Sequence, residues 1–186
     1  MTAFFAATGV VMLAEMGDKT QLIAMAFAAR FLWKTVMVGI FVGSLANHLV
    51  AVLGGTYLAA MVSPEYIRLA GAFAFIGFGI WTLLDLEEAE EQGNSRYGPF
   101  GTVAITFFLG EMGDKTQLAA FTMAAEFPEA FGFIIAGTVT AMLIADGAAI
   151  ALGSALRRYL PPRRMKIAAG WIFLMCGGAG LVHGMM

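Results

Sequence analysis

Six apolar stretches, at residues 3–28, 35–59, 65–84, 99–125, 129–156 and 164–185, follow one another along the chain. Each supplies the roughly 20 mainly apolar residues that a helix needs to cross the hydrocarbon of a bilayer. The runs are continuous and lack the alternation of a membrane β-barrel, so the expected fold class is all-α: a polytopic membrane protein with six transmembrane helices. Little is left for a soluble domain. The only long polar segment is residues 85–98, DLEEAEEQGNSRYG, and 60% of the 186 residues are hydrophobic against 13% charged. No Lys or Arg precedes Lys19, so the basic flank of a cleavable signal is missing and the first stretch is expected to remain as a span. One cysteine, Cys176, cannot form an internal disulfide or a multi-thiolate metal centre.

The polar segment divides two related halves. Glu15–Leu22 and Glu111–Leu118 are the same octapeptide, EMGDKTQL, at an offset of 96 residues. Weaker matches continue at an offset of 99, where Gly54 falls on Gly153, Gly71 on Gly170, Gly79 on Gly178 and Asn47 on Asp146. Three spans per half is an odd number, so the second half enters the membrane upside down relative to the first. The expected organisation is two inverted three-helix repeats, residues 1–84 and 99–186, joined by an acidic cytoplasmic linker at 85–98. Inverted repeats are typical of secondary transporters, whose sites lie near the midplane where the repeats meet.

The basic residues orient the spans. Apart from Lys19 and Lys115, which lie inside the motifs, Arg30 and Lys34 follow the first span, Arg96 the third, and Arg157, Arg158, Arg163, Arg164 and Lys166 the fifth, leaving only Arg68 for the opposite side. This bias places the odd-numbered loops in the cytoplasm and both termini outside. The basic loop after the fifth span also suits anionic lipid.

Each motif falls near the middle of its span, where charge is most costly. On a continuous helix, Glu15 and Asp18 would share a face, as would Glu111 and Asp114. Lys19 and Lys115 would follow their glutamates by four residues, partly neutralising each motif. Gln21, Gln117, Thr20 and Thr116 add neutral oxygens, while Gly17 and Gly113 permit local unwinding or close helix approach. Five carboxylates, Asp146 included, against two ammonium groups leave a formal charge of −3. Such a site takes up protons or binds a cation, which makes a divalent ion and protons alternative occupants. The ligands are all oxygen, suiting Ca²⁺, Mg²⁺ or Mn²⁺ and disfavouring copper and zinc. The thioethers of Met16 and Met112 would tolerate Mn²⁺ better than Ca²⁺, although they point about 100° away from the glutamates and also read as packing.

Structural pairing of Glu with Lys would explain neither the aspartates nor the duplication. Asn47 and Asp146 are candidate supporting or gating groups, with helix–helix hydrogen bonding as the alternative. His48 reads as packing or an interhelical bond, His183 as interfacial. An intramembrane aspartyl protease and a passive cation channel are rival readings, the first because Asp18 and Asp114 each follow a glycine, the second because a carboxylate ring can line a pore. Neither explains two inverted halves around one midplane site as well as alternating access does.

Two complete E-x-G-D-K-[ST] motifs in a two-repeat helical membrane protein resemble the family that includes Golgi calcium/manganese transporters, chloroplast-envelope manganese transporters and bacterial manganese exporters. The resemblance covers nearly the whole chain. It implies that Glu15, Asp18, Glu111 and Asp114 bind the ion, and that the activity is Mn²⁺ or Ca²⁺ transport against H⁺, not an enzymatic reaction. It also implies no cofactor, the cytoplasmic membrane as location, and membrane lipid and a divalent ion, not nucleic acid, as partners. The compact chain is similar to the bacterial, Mn²⁺-exporting branch.

Overall fold

A computed structural model describes residues 1–84, 97–159 and 162–184. The linker at 85–96, with Arg96, and the side chains of the basic cluster 157–166 and of His183 lie outside the described residues. All regular structure among the described residues is helical: α1 Thr2–Glu15, α2 Lys19–Arg30, α3 Trp33–Ala59, α4 Pro64–Leu84, α5 Gly98–Gly110, α6 Lys115–Glu126, α7 Phe131–Tyr159 and α8 Pro162–Gly184, with a 3₁₀ turn at Pro128–Ala130. The second and third stretches of each half match the expected positions to within a few residues; the first of each half, which carries the motif, does not. There the first and fourth apolar stretches are not continuous helices: each is two shorter helices broken inside its motif.

The break has a local cause. Gly17 and Gly113 take φ of 78° and 79°, a left-handed conformation that an L side chain resists and glycine enters freely. The next residue is extended, Asp18 at φ −81°, ψ 166° and Asp114 at φ −76°, ψ 166°, and each stands as the N-cap of the following helix. Among the described residues three helices are long and apolar enough to cross a membrane unbroken, over Trp33–Ala59, Glu65–Leu84 and Pro128–Leu152. The apolar stretches Thr2–Glu15, Gly98–Gly110 and Gly170–Val182 are shorter.

The long helices position the broken ones. Along α3 the buried residues Val36, Ile40, Gly43, Asn47, Ala51 and Gly55 recur every three or four positions, one stripe of a helix. That stripe lies against α5 and α6, and α7 lies in the same way against α1 and α2. The approach is close enough that a Cβ on Gly43 would stand 2.5 Å from the Ala104 carbonyl, and one on Gly137 2.5 Å from that of Phe4. Small residues at the seam are what allow two backbones to meet in lipid. Helices α4 and α8 pack mainly on each other, with Gly79 and Gly170 facing one another's carbonyls and Phe75, Phe78 and Phe173 filling the space toward Ala14. Large apolar side chains on the outer face of α3, including Phe41, Val50 and Leu53, are exposed, as suits a surface that meets hydrocarbon.

Candidate cation site

Inside each motif the same bonds hold the break. Thr20 Oγ1 donates to Glu15 Oε1, and Thr116 Oγ1 donates to Glu111 Oε2 at 2.9 Å. The Gly17 N–H donates to Gln21 Oε1 at 3.1 Å, and the Gly113 N–H to Gln117 Oε1 at 2.6 Å. The break strips these amides of helical partners, and the glutamine four residues on replaces what was lost. Each glutamine oxygen retains a second lone pair. With Asp18 and Asp114 extended, the glutamate and aspartate of one motif do not share a helix face; helix geometry ends between them.

Charge pairing also differs from the expectation. Lys19 is exposed and forms no ion pair with Glu15 among the described residues, so the first motif is not self-neutralised. Lys115 is buried and reaches across to the other motif, its Nζ 2.5 Å from Asp18 Oδ2 and 3.8 Å from Asp114 Oδ2. The first contact is a charge-assisted hydrogen bond; the second is too long for one. One ammonium thus stands between the aspartates of the two halves. Glu15 and Glu111, from different motifs, are both fully buried. Glu15 lies within Coulombic reach of Glu111, Asp18, Asp146 and Lys115. All five carboxyl groups singled out from the sequence are buried, against one buried ammonium, so full ionisation would leave a formal charge of −4 rather than −3.

Several buried polar atoms here have no hydrogen-bond partner: Glu15 Oε2, Glu111 Oε1, both Asp146 oxygens, Asn47 Oδ1 and His48 Nε2. Orphaned oxygens at such depth cost several kcal/mol each unless a proton or a cation satisfies them, on the order of magnitude for unpaired polar groups in an apolar medium. The donor set therefore fits a hard cation. In this conformation no three of the acidic, His or Cys side chains among the described residues converge on one point as a ready metal cage. His48 Nδ1 donates to the Ser44 carbonyl at 2.9 Å, as an intrahelical bond.

Asn47 has a task that the sequence does not announce. Its Nδ2 donates to the Phe108 carbonyl at 3.0 Å. That carbonyl would accept from the Met112 N–H in an unbroken helix, but the Met112 N–H turns to Leu109 instead. In the first half the equivalent carbonyl, on Met12, keeps its Met16 N–H, and the residue aligned with Asn47 is Asp146, which makes no hydrogen bond. The polar character of position 47 was a signal; the partner was not foreseeable from sequence. The pairing of Lys115 with Asp18 left no trace in the sequence at all, since both motifs are identical.

Known proteins resemble this chain along most of its length. The chain is 34% identical over 167 residues to a Vibrio cholerae protein named "Putative manganese exporter", covering 89% of this chain and 84% of that one. It is 29% identical to a GDT1-like protein of Synechocystis, with 94% of both chains covered, and 25% identical to GDT1-like protein 5 of Arabidopsis thaliana, with 95% and 94% covered. No solved structure matches it. The family of divalent cation/proton antiporters called GDT1 matches twice, at residues 3–90 and 99–186. Such a family consists of transporters, and the protease reading falls with it. Two matches that together cover nearly all of the sequence show that the chain belongs to the GDT1 family of divalent cation/proton antiporters.

Proposed function

We propose that this antiporter exports Mn²⁺ across the cytoplasmic membrane in exchange for H⁺, at one site built by both motifs. The observation that carries the reading is the Lys115 bridge: one ammonium lies 2.5 Å from Asp18 of one half and 3.8 Å from Asp114 of the other, which supports a site shared by both motifs. Glu15, Asp18, Glu111 and Asp114 bind the ion, with Gln21, Gln117, Thr20 and Thr116 as neutral oxygens beside them and Asn47 and Asp146 in support. Carboxyl groups this deeply buried hold either protons or a metal ion, and that exclusivity couples the two flows. The all-oxygen set admits Mn²⁺ and Ca²⁺ alike, and the choice of Mn²⁺ follows the name of the Vibrio relative.

Each broken helix counts as one crossing, giving six, arranged as inverted repeats at 1–84 and 99–186. The helix lengths run in the same order in both halves: 14, 12, 27 and 21 residues, then 13, 12, 29 and 23. Discontinuous helices whose inner ends meet near the midplane are a recurrent way for transporters to hold ions, since non-helical backbone survives at that depth only inside protein. The basic loops and the acidic linker face the cytoplasm and both termini lie outside.

Reconstituted in liposomes, the purified protein should move Mn²⁺ in proportion to an imposed pH gradient and carry H⁺ the other way. Mn²⁺ flux with no accompanying H⁺ movement would replace the antiporter by a channel. Competition with Ca²⁺ and Mg²⁺ in the same vesicles identifies the cargo.

A further inference from the structure

We propose that the Lys115 ammonium is a tethered stand-in for the transported cation, exchanged for Lys19 in the opposite conformation, and that this makes the site select divalent over monovalent ions. The inference rests on the Mn²⁺ site proposed above and goes beyond it.

The two octapeptides are identical and carry the same internal bonds, yet their lysines occupy opposite environments. The Lys115 side chain is 7% exposed and lies between Asp18 and Asp114, whereas Lys19 is exposed. At the offset of 96, the counterpart of the Lys115–Asp18 pair is Lys19–Asp114. Identical motifs give neither pair an intrinsic advantage, so the choice falls to the surrounding helices. Two such states, separated by a modest free-energy difference, are the condition for ligand-driven exchange between them.

The ammonium and a metal ion cannot both sit between the same two carboxylates. A monovalent ion entering there brings no more charge than the group it displaces. It must also compete with a partner whose tether sets an effective concentration on the order of millimolar or higher. A divalent ion brings twice the charge to the same oxygens and wins the exchange. The lysine thereby rejects Na⁺ and K⁺ without any contact to them, and its return to an aspartate expels the metal after the site has turned.

Full-length protein in lipid nanodiscs tests this by Mn²⁺ binding, read from the electron paramagnetic resonance of the free ion, and by amine-reactive labelling resolved by mass spectrometry. Lys115→Gln is expected to bind Mn²⁺ about tenfold more tightly in Na⁺-free buffer and to become sensitive to excess Na⁺, with Lys115→Arg restoring Na⁺ resistance. In the unaltered protein, saturating Mn²⁺ should raise labelling of Lys115 several-fold while Lys19 labels under both conditions. No Mn²⁺ binding by the unaltered protein overturns the proposed function and this inference with it. Mn²⁺ binding with unchanged Lys115 labelling overturns this inference alone, whether or not Lys115→Gln folds. So does a folded Lys115→Gln with unaltered Mn²⁺ affinity and no response to Na⁺.

Discussion

The motif of the first half and the motif of the second differ in nothing but where they lie, and they still adopt two shapes. Both break at a glycine with φ near 78°, both place an extended aspartate at the start of the next helix, and both tie Thr to Glu and Gln to the glycine amide. Before the glycine they part: α1 stays helical through Glu15 and is capped by Met16, whereas α5 ends at Gly110 and is capped by Glu111, one motif position earlier. Gly17 is buried and Gly113 exposed; Lys19 is exposed and Lys115 buried. The shared features are those set by bonds inside eight residues. The divergent ones depend on neighbouring helices, which differ between the halves at positions such as Asn47 and Asp146. The comparison separates what both motifs do, which is hold a break and a glutamate, from what differs between the halves, which is the address of the lysine.

The largest expected effects fall where the motifs act as one. Glu15→Gln and Glu111→Gln should each lower Mn²⁺ transport in liposomes by more than about 100-fold, because even residues that merely support a metal ligand cost about 10- to 100-fold. If one substitution left about half the flux, the motifs would be independent sites. Next comes the asymmetric pairing. Asp18→Asn leaves a buried ammonium without its 2.5 Å partner and should cost about 3–5 kcal/mol of stability in metal-free protein, whereas Asp114→Asn, 3.8 Å from the same Nζ, should cost clearly less. Thermal inactivation in detergent measures both, and equal losses would break the asymmetry. Asn47→Ala should cost about 1–3 kcal/mol by stranding the Phe108 carbonyl, while Asp146→Ala, which removes no hydrogen bond, should not destabilise the fold. The smallest effects return to the shared features. Gly17→Ala and Gly113→Ala should each cost about 1–2 kcal/mol through the left-handed backbone, and at Gly113 nothing lies within 4 Å of the added Cβ to enlarge the loss.

Much of this architecture was legible in the sequence because lipid imposes a long apolar period on every crossing helix. The ends of α3, α4, α7 and α8 fall close to the limits of the apolar runs. The acidic groups were legible for the same reason: a carboxylate amid apolar residues cannot be decoration. What misled was the assumption of unbroken helix through residues 15–19 and 111–115. The apolar run continues across the break, and hydropathy is blind to φ. Gly17 and Gly113 carried the only local hint, and helical spacing then suggested Glu–Lys pairs within each motif. The cross-pairing of Lys115 with Asp18 is a tertiary choice between two chemically equal partners, which no local pattern encodes.

The claim that both motifs build a single site is tested most directly by counting Mn²⁺ ions bound per chain in the unaltered protein, in Glu15→Gln and in Glu111→Gln. A shared site predicts a single ion per chain and the loss of all binding in either variant. Two ions per chain, each lost with its own glutamate, would contradict it.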